Sequence, residues 1–203
     1  VISTRHTISS GDPGIDQTLR HMRRLVDSST ADADVLEWAQ GVVRYIPERD
    51  PDAAAQAFLS WTRGNMRYTE DPTNRESIKT PEAMVKEFKQ FGRATGDCDD
   101  HVVLIAAGLN SIGVPTEFIV VAADGNFPND YSHVLMQYQS KSGEWITMDP
   151  IVRGTGPGWF PPRVSRIGYY RQGRLSGLGG SRGSMSLAVP VMIIAAYMIL
   201  KAR

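Results

Sequence analysis

The chain has 203 residues, 41% of them hydrophobic and 22% charged, the balance of one globular domain with attachments. A single cysteine excludes an intrachain disulfide framework and any zinc site built on cysteines. The formal charge of zero hides an asymmetry, because all 22 acidic residues lie at or before Asp149 while Arg153, Arg163, Arg166, Arg171, Arg174, Arg182, Lys201 and Arg203 follow it.

Residues 1–14 read as an irregular arm with no apolar signal segment, closing in the turn-prone Ser10-Gly11-Asp12-Pro13-Gly14. Ile15, Leu19, Met22, Leu25 and Val26 then mark the apolar stripe of a helix, with Arg20, Arg23 and Arg24 on a solvated face. Asp32 or Asp34 caps a second helix carrying Val35, Leu36, Trp38, Ala39, Val42, Val43 and Ile46, stopped by Pro47. Asp50-Pro51 starts a third, through Ala54, Phe58 and Trp61 to a break near Gly64-Asn65, and Met66-Arg67-Tyr68 is a short extended piece. Thr80-Pro81 repeats the cap-then-proline start, and Met84, Val85, Phe88 and Phe91 form the stripe that ends at Gly92.

The loop Arg93-Ala94-Thr95-Gly96 delivers the chain to Asp97-Cys98-Asp99-Asp100-His101. Val102, Ile105, Ala106 and Leu109 keep helical spacing behind it, and Val103 and Leu104 add a second apolar face, so this helix is expected to be buried on most sides. A thiol in the first helical turn feels unpaired N–H groups and the positive end of the dipole, both of which favour the nucleophilic thiolate. The opposing reading is an inert, buried thiol. Against it stand the polar neighbours Asp97, Asp99, Asp100 and His101, poor company for a packing residue. The same acids oppose ionisation of the thiol, so a nucleophile at Cys98 requires a distant histidine held by a third group.

After Gly113 the period changes. Thr116 to Ala123 is a strand buried on both faces, residues 124–130 form a loop, and Tyr131 to Tyr138 and Glu144 to Asp149 are two strands joined across Ser140-Lys141-Ser142-Gly143. Helices first and antiparallel strands second predict an α+β fold. With the hairpin centred near Lys141, His133 falls directly opposite Asp149, on the same face, where a carboxylate holds an imidazole tautomer. A slip of one residue would separate them.

These blocks resemble the transglutaminase-like superfamily of papain-like cysteine enzymes, and in particular its compact bacterial and bacteriophage members. The resemblance is carried by Gly96-Asp97-Cys98-Asp99-Asp100-His101, Ser132-His133-Val134 and Met148-Asp149-Pro150 in that order, with Trp61-Thr62-Arg63, Arg67-Tyr68, Asp71-Pro72 and Thr80-Pro81-Glu82 upstream. It spans roughly residues 35–152 and implies a papain-like core whose antiparallel sheet packs on the cysteine-bearing helix. It further implies acyl transfer through a thioester, with Cys98 as nucleophile, His133 as general base and then general acid, and Asp149 as the orienting carboxylate. The Cys98 backbone N–H would be one oxyanion donor. Trp61 or Tyr68 is the candidate for the second, and Trp61 also has the character of a core residue. His101, one helical turn after Cys98, competes as base but points along the helix. Water as acceptor gives a peptidase or amidase, and an amine gives a crosslinking transferase. The substrate is protein or peptide. No cofactor or metal is expected: Asp97, Asp99 and Asp100 lack the spacing of an EF-hand loop and read as carboxylates favoured by the helix dipole.

Four regions result: an N-terminal arm and helix over 1–30, the catalytic domain over 31–152, a Gly/Pro/Arg-rich linker over 153–184, and a hydrophobic segment over 185–203. The arginines and aromatics of the linker suit nucleic acid, but the acidic body of the same chain is the simpler partner. Leu187 to Leu200 is uncharged; as a helix it extends roughly 21 Å, short of a hydrocarbon core of about 30 Å. A short membrane anchor, a helix docked in a groove and a segment buried in a capsid or other assembly are its three readings. A virion-associated or membrane-associated enzyme is therefore expected over a free cytoplasmic one, and a structural component of a phage particle using the fold as scaffold is the alternative.

Overall fold

The computed structural model describes residues 11–48, 50–71, 77–171 and, as backbone, 174–178. Five helices precede or enclose two sheets. Helix α1 spans Asp12–Ser29, α2 Ala33–Val42, α3 Pro51–Asn65, α4 Pro81–Phe91 and α5 Cys98–Ser111. The short strands β1 (Met66–Tyr68) and β2 (Ala94–Gly96) pair in parallel, and β3 (Thr116–Ala122), β4 (His133–Gln139), β5 (Trp145–Met148), β6 (Arg166–Arg171) and β7 (Arg174–Leu178) form an antiparallel sheet in the order β5-β4-β3-β6-β7. This is the expected α+β organisation.

The helix starts follow the capping residues. The Asp32 carboxylate accepts the N–H groups of Asp34 and Val35 at 2.9 and 3.2 Å, Asp50 accepts that of Ala53 at 2.9 Å, and Thr80 accepts that of Ala83 at 3.3 Å. Helix α4 stops at Gly92, whose φ of 72° is a left-handed conformation suited to glycine. Helix α2 ends at Val42, before Pro47, because residues 43–46 continue as turns.

Helix α5 is the axis of the molecule. Every residue from Asp99 to Leu109 is buried, as its two apolar faces require, with α1, α2, α3 and α4 packed around it and β3 and β4 behind. Close approach by α2 and α3 needs Gly108: a Cβ there would stand 2.5 Å from Phe58 Cε1 and 2.8 Å from Trp38 Cζ3. Along β3 the side chains alternate. Phe118 and Val120 join the main core, whereas Ile119 and Val121 form a second cluster with Leu135 on the outer face.

Across its described residues, 153–171 and 174–178, the segment expected as a linker packs as part of the domain instead. Phe160 and Val164 cover the outer cluster, Ile167 and Tyr169 extend it, and β6 pairs with β3 from Phe118↔Tyr170 to Ala122↔Arg166. The segment through Leu178 is part of the domain, because a strand apolar on both faces needs cover on both. The basic residues of this segment do meet the acidic body: Arg166 pairs with Asp12, and Arg171 Nε lies 2.9 Å from Glu117. Among the described residues no helix is long and apolar enough to cross a membrane. The apolar segment 185–203 lies outside the described residues.

Candidate active site

Cys98 is the first residue of α5 and is only partly buried, whereas Asp99 to Leu109 behind it are buried. Strand β2 delivers it. Gly96 pairs with Tyr68 across the β1–β2 ribbon, and the Thr69 N–H donates to the Gly96 carbonyl at 2.9 Å. A side chain at 96 has no room, since a Cβ would stand 2.4 Å from the Asp100 Cβ and 2.5 Å from its Oδ2. The sequence predicts a loop over residues 93–96; the three-residue β2 is too short to carry a periodic signal.

His133 opens β4 and Asp149 follows the end of β5. The ladder runs Met136↔Met148 through Gln139↔Trp145, which places Leu135, not His133, across from Asp149. The hairpin register is therefore two residues from the one expected, and the pair meets diagonally, with Asp149 placed just beyond the end of β5. His133 Nε2 lies 2.8 Å from Asp149 Oδ2. The histidine side chain keeps 8% exposure and the carboxylate none, so the ring has one accessible edge and the acid has no access to water.

Cys98 is close enough to this ring to be among the groups that raise its pKa. Burial disfavours the imidazolium, but the hydrogen bond and charge of Asp149, joined by Cys98, outweigh it and raise the His133 pKa to about 10. Burial likewise opposes ionisation of Asp149, while His133 and the N–H groups of Ile151 and Val152, which reach Asp149 Oδ1 at 2.8 and 3.3 Å, hold its pKa below the usual value.

Arg63, on the last turn of α3, fixes the loop that carries this acid. Its guanidinium donates to the carbonyls of Asp149 (2.7 Å), Pro150 (3.2 Å), Val152 (2.5 Å) and Thr155 (2.6 Å), and to the Thr155 hydroxyl at 2.8 Å. Burial lowers its pKa, opposed by the charge of Asp149. Nothing local in the sequence assigns Arg63 a role, because only the fold shows residues 149–155 returning over the end of α3.

Trp61 and Tyr68 part company. Trp61 sits between Trp38 and Phe88, ring centroids 5.0 and 4.7 Å away, in the packing of α2, α3 and α4. The expectation of an oxyanion donor there is corrected: two residues from Arg63 on a helix is the opposite side, and the indole is committed to the core. Tyr68 stands at the site, across from Gly96, 42% exposed, with its ring 6.3 Å from that of His101. His101 is buried, and its Nδ1 lies 2.6 Å from the Asp97 carbonyl oxygen, away from the thiol. Burial is the main influence on this ring and lowers its pKa.

The acids before and after Cys98 are closer together than a capping role requires. One carboxylate oxygen from each of Asp97, Asp99 and Asp100 lies within 4.8 Å of the others. Burial, then the neighbouring acids, raises the Asp99 pKa well above the ordinary value, and burial raises Asp100 to about 7 against the Lys79 N–H that Asp100 accepts at 2.7 Å. Asp97 Oδ1 is buried without a hydrogen-bond partner. Three crowded oxygen donors, one of them orphaned, fit a hard divalent cation.

A cysteine at the start of a buried helix that packs on an antiparallel sheet carrying a histidine–aspartate pair is the α+β arrangement of papain-like folds. The model of the transglutaminase-like superfamily matches residues 38–150, more than half of the chain, and the chain belongs to that superfamily. Two solved structures of LapG from Legionella pneumophila share the fold. The calcium-bound form has a TM-score of 0.52 at 17% identity, covering 84% of this chain and 93% of that one; another has 0.51 at 12%, covering 77% and 87%. A Parabacteroides distasonis ATCC 8503 protein described as a protease candidate has a TM-score of 0.52 at 12% identity, covering 82% of this chain and 34% of its own. No curated protein is significantly similar in sequence.

Proposed function

We propose that the chain cleaves amide bonds of protein substrates by acyl transfer to Cys98. The observation that carries this reading is the 2.8 Å contact of His133 Nε2 with the buried Asp149 carboxylate, with Cys98 close enough to the ring to share in raising its pKa. Cys98 attacks the carbonyl, its proton having passed to His133, and the tetrahedral oxyanion forms beside the Cys98 N–H. His133 then protonates the leaving amine, a thioester remains, and His133 activates the water that releases the acid. Asp149 stays ionised throughout and holds the ring. Tyr68, at the mouth of the site, is the candidate second donor to the oxyanion.

Water as the final acceptor is supported by the protease description of one protein of this fold. An amine acceptor is the second reading. Incubating the full chain with an unfolded protein, with and without a fluorescent primary amine, separates them: fragments indicate hydrolysis and fluorescent protein indicates transfer. Wild type giving neither, or matching Cys98→Ala in both, would overturn the proposal. Attachment through residues 185–203 to a membrane or particle, and a scaffold role in a phage particle, belong to the same proposal. The scaffold alternative predicts that Cys98→Ala leaves assembly intact.

We also propose that Asp97, Asp99 and Asp100 hold a calcium ion, given that one similar structure is a calcium-bound form. Such an ion would supply positive charge to the carboxylates that bracket Cys98 and fix the turn into α5.

A further inference from the structure

We infer that His101 is a positioning residue for the oxyanion: its ring N–H, held on the Asp97 carbonyl, orients and polarises the peptide unit whose other end is the Cys98 N–H. The inference rests on the function proposed above and adds to it a residue that does not touch substrate. Asp97 C=O and Cys98 N–H belong to one trans peptide, so they point in opposite directions from a common plane. Rotating the carbonyl therefore rotates the N–H by the same amount.

That carbonyl accepts twice from one residue. The His101 backbone N–H reaches it at 3.2 Å, the ordinary first bond of the helix, and the His101 ring Nδ1 reaches it at 2.6 Å. The shorter of the two is the ring. A carbonyl oxygen only accepts, so Nδ1 carries the proton and the ring is the Nδ1–H tautomer. The Cys98 N–H, at the first position of α5, is one of the donors that the helix itself leaves without a partner. Hydrogen bonds in series polarise one another, by roughly 10–30% per bond, so a donor on the carbonyl strengthens the N–H beyond it. Tyr68 lies beside the ring, with centroids 6.3 Å apart.

Two reactions of the same thiol separate this role from a structural one. Acetylation by 4-nitrophenyl acetate passes through a tetrahedral oxyanion, whereas alkylation by iodoacetamide displaces iodide with no oxyanion. His101→Phe keeps the ring and removes the donor, and is expected to slow acetylation about tenfold while alkylation stays within about twofold. Asn places its side-chain N–H near the position of Nδ1, so His101→Asn is expected to restore acetylation to within about threefold of wild type. Gln carries its amide further out, and His101→Gln is expected to resemble the Phe variant. Equal loss of both reactions in all three variants, or no loss of acetylation in any, would overturn the inference. A wild type that alkylates at Cys98 yet never acetylates overturns the proposed function as well, whereas acetylation of wild type without the split between reactions overturns the inference alone.

Discussion

His133 Nε2 meets Asp149 Oδ2 at 2.8 Å although the strand ladder sets Leu135, not His133, against Asp149. The contact is diagonal, and the loop after β5 makes it possible: the N–H groups of Ile151 and Val152 hold the second carboxylate oxygen, so the first has one direction left. Which ring nitrogen faces the thiol follows from this. With Nε2 on Asp149, Nδ1 is the nitrogen that the proposed mechanism assigns to Cys98.

Replacing Asp149 with Asn removes the largest influence that keeps the imidazole charged. His133 is raised to about 10 in the folded protein, so its charged form persists until alkaline pH. In Asp149→Asn burial is no longer outweighed, and the alkaline limb of kcat/KM is expected to move to lower pH, with kcat down on the order of 10³-fold near neutrality. The same pair gives a stability profile. The contribution of His133 is complete below its ordinary value near 6.5 and is lost as pH rises through about 10, and that of Asp149 is present above its ordinary value near 3.8 and is lost as pH falls below it. Urea midpoints across pH are expected to show both losses in wild type and neither in Asp149→Asn.

Arg63 acts on that carboxylate through the backbone. Arg63→Met leaves the carbonyls of Asp149, Pro150, Val152 and Thr155 without their donor and is expected to cost roughly 1–3 kcal/mol in denaturant unfolding. Arg63→Lys, with a single ammonium in place of a planar fork, is expected to fall between. In both, the alkaline limb of the pH profile moves in the direction of Asp149→Asn, which a loss of stability alone would not produce.

Gly96 is required by contact with Asp100. Gly96→Ala drives a methyl into the Asp100 side chain and is expected to destabilise by about 1–3 kcal/mol, read from the urea midpoint. Gly64→Ala, where a Cβ meets nothing within 4 Å, is the control and is expected to be neutral or stabilising.

Calcium is expected to raise the Tm of the full chain and EGTA to reverse the change, by ligand linkage to the folded state. Asp97→Asn with Asp99→Asn should abolish the response, checked by thermal unfolding with the metal alone. An identical Tm with calcium and with EGTA would remove the cation from the account.

The parts legible from the chain were those with local signals. Asp50-Pro51 and Thr80-Pro81 start α3 and α4 where the cap-then-proline pattern placed them, and the double apolar face of residues 102–109 did mark the central helix. Residues 153–178 were illegible because glycine, proline and arginine dominate their composition, while their strand character comes from pairing β6 to the apolar β3. At the site, the hairpin brings His133 and Asp149 into contact despite the shifted register, because Asp149 stands just past the end of β5. Trp61 carried no sign of whether its indole faced Phe88 or the thiol, since both lie downstream in sequence and only helix packing decides. The crowding of Asp97, Asp99 and Asp100 depends on how β2 turns into α5, which spacing alone does not set.

The most direct test of the central claim is the rate and place of a single acylation. Full-length wild type, His133→Ala and Cys98→Ala are treated near neutral pH with a small thioester, and the adduct is located by mass spectrometry of the peptides. The account predicts one acyl group on Cys98 in wild type, none in Cys98→Ala, and a rate lowered by at least about 10²-fold in His133→Ala. Equal acylation of Cys98 with and without the imidazole would contradict it.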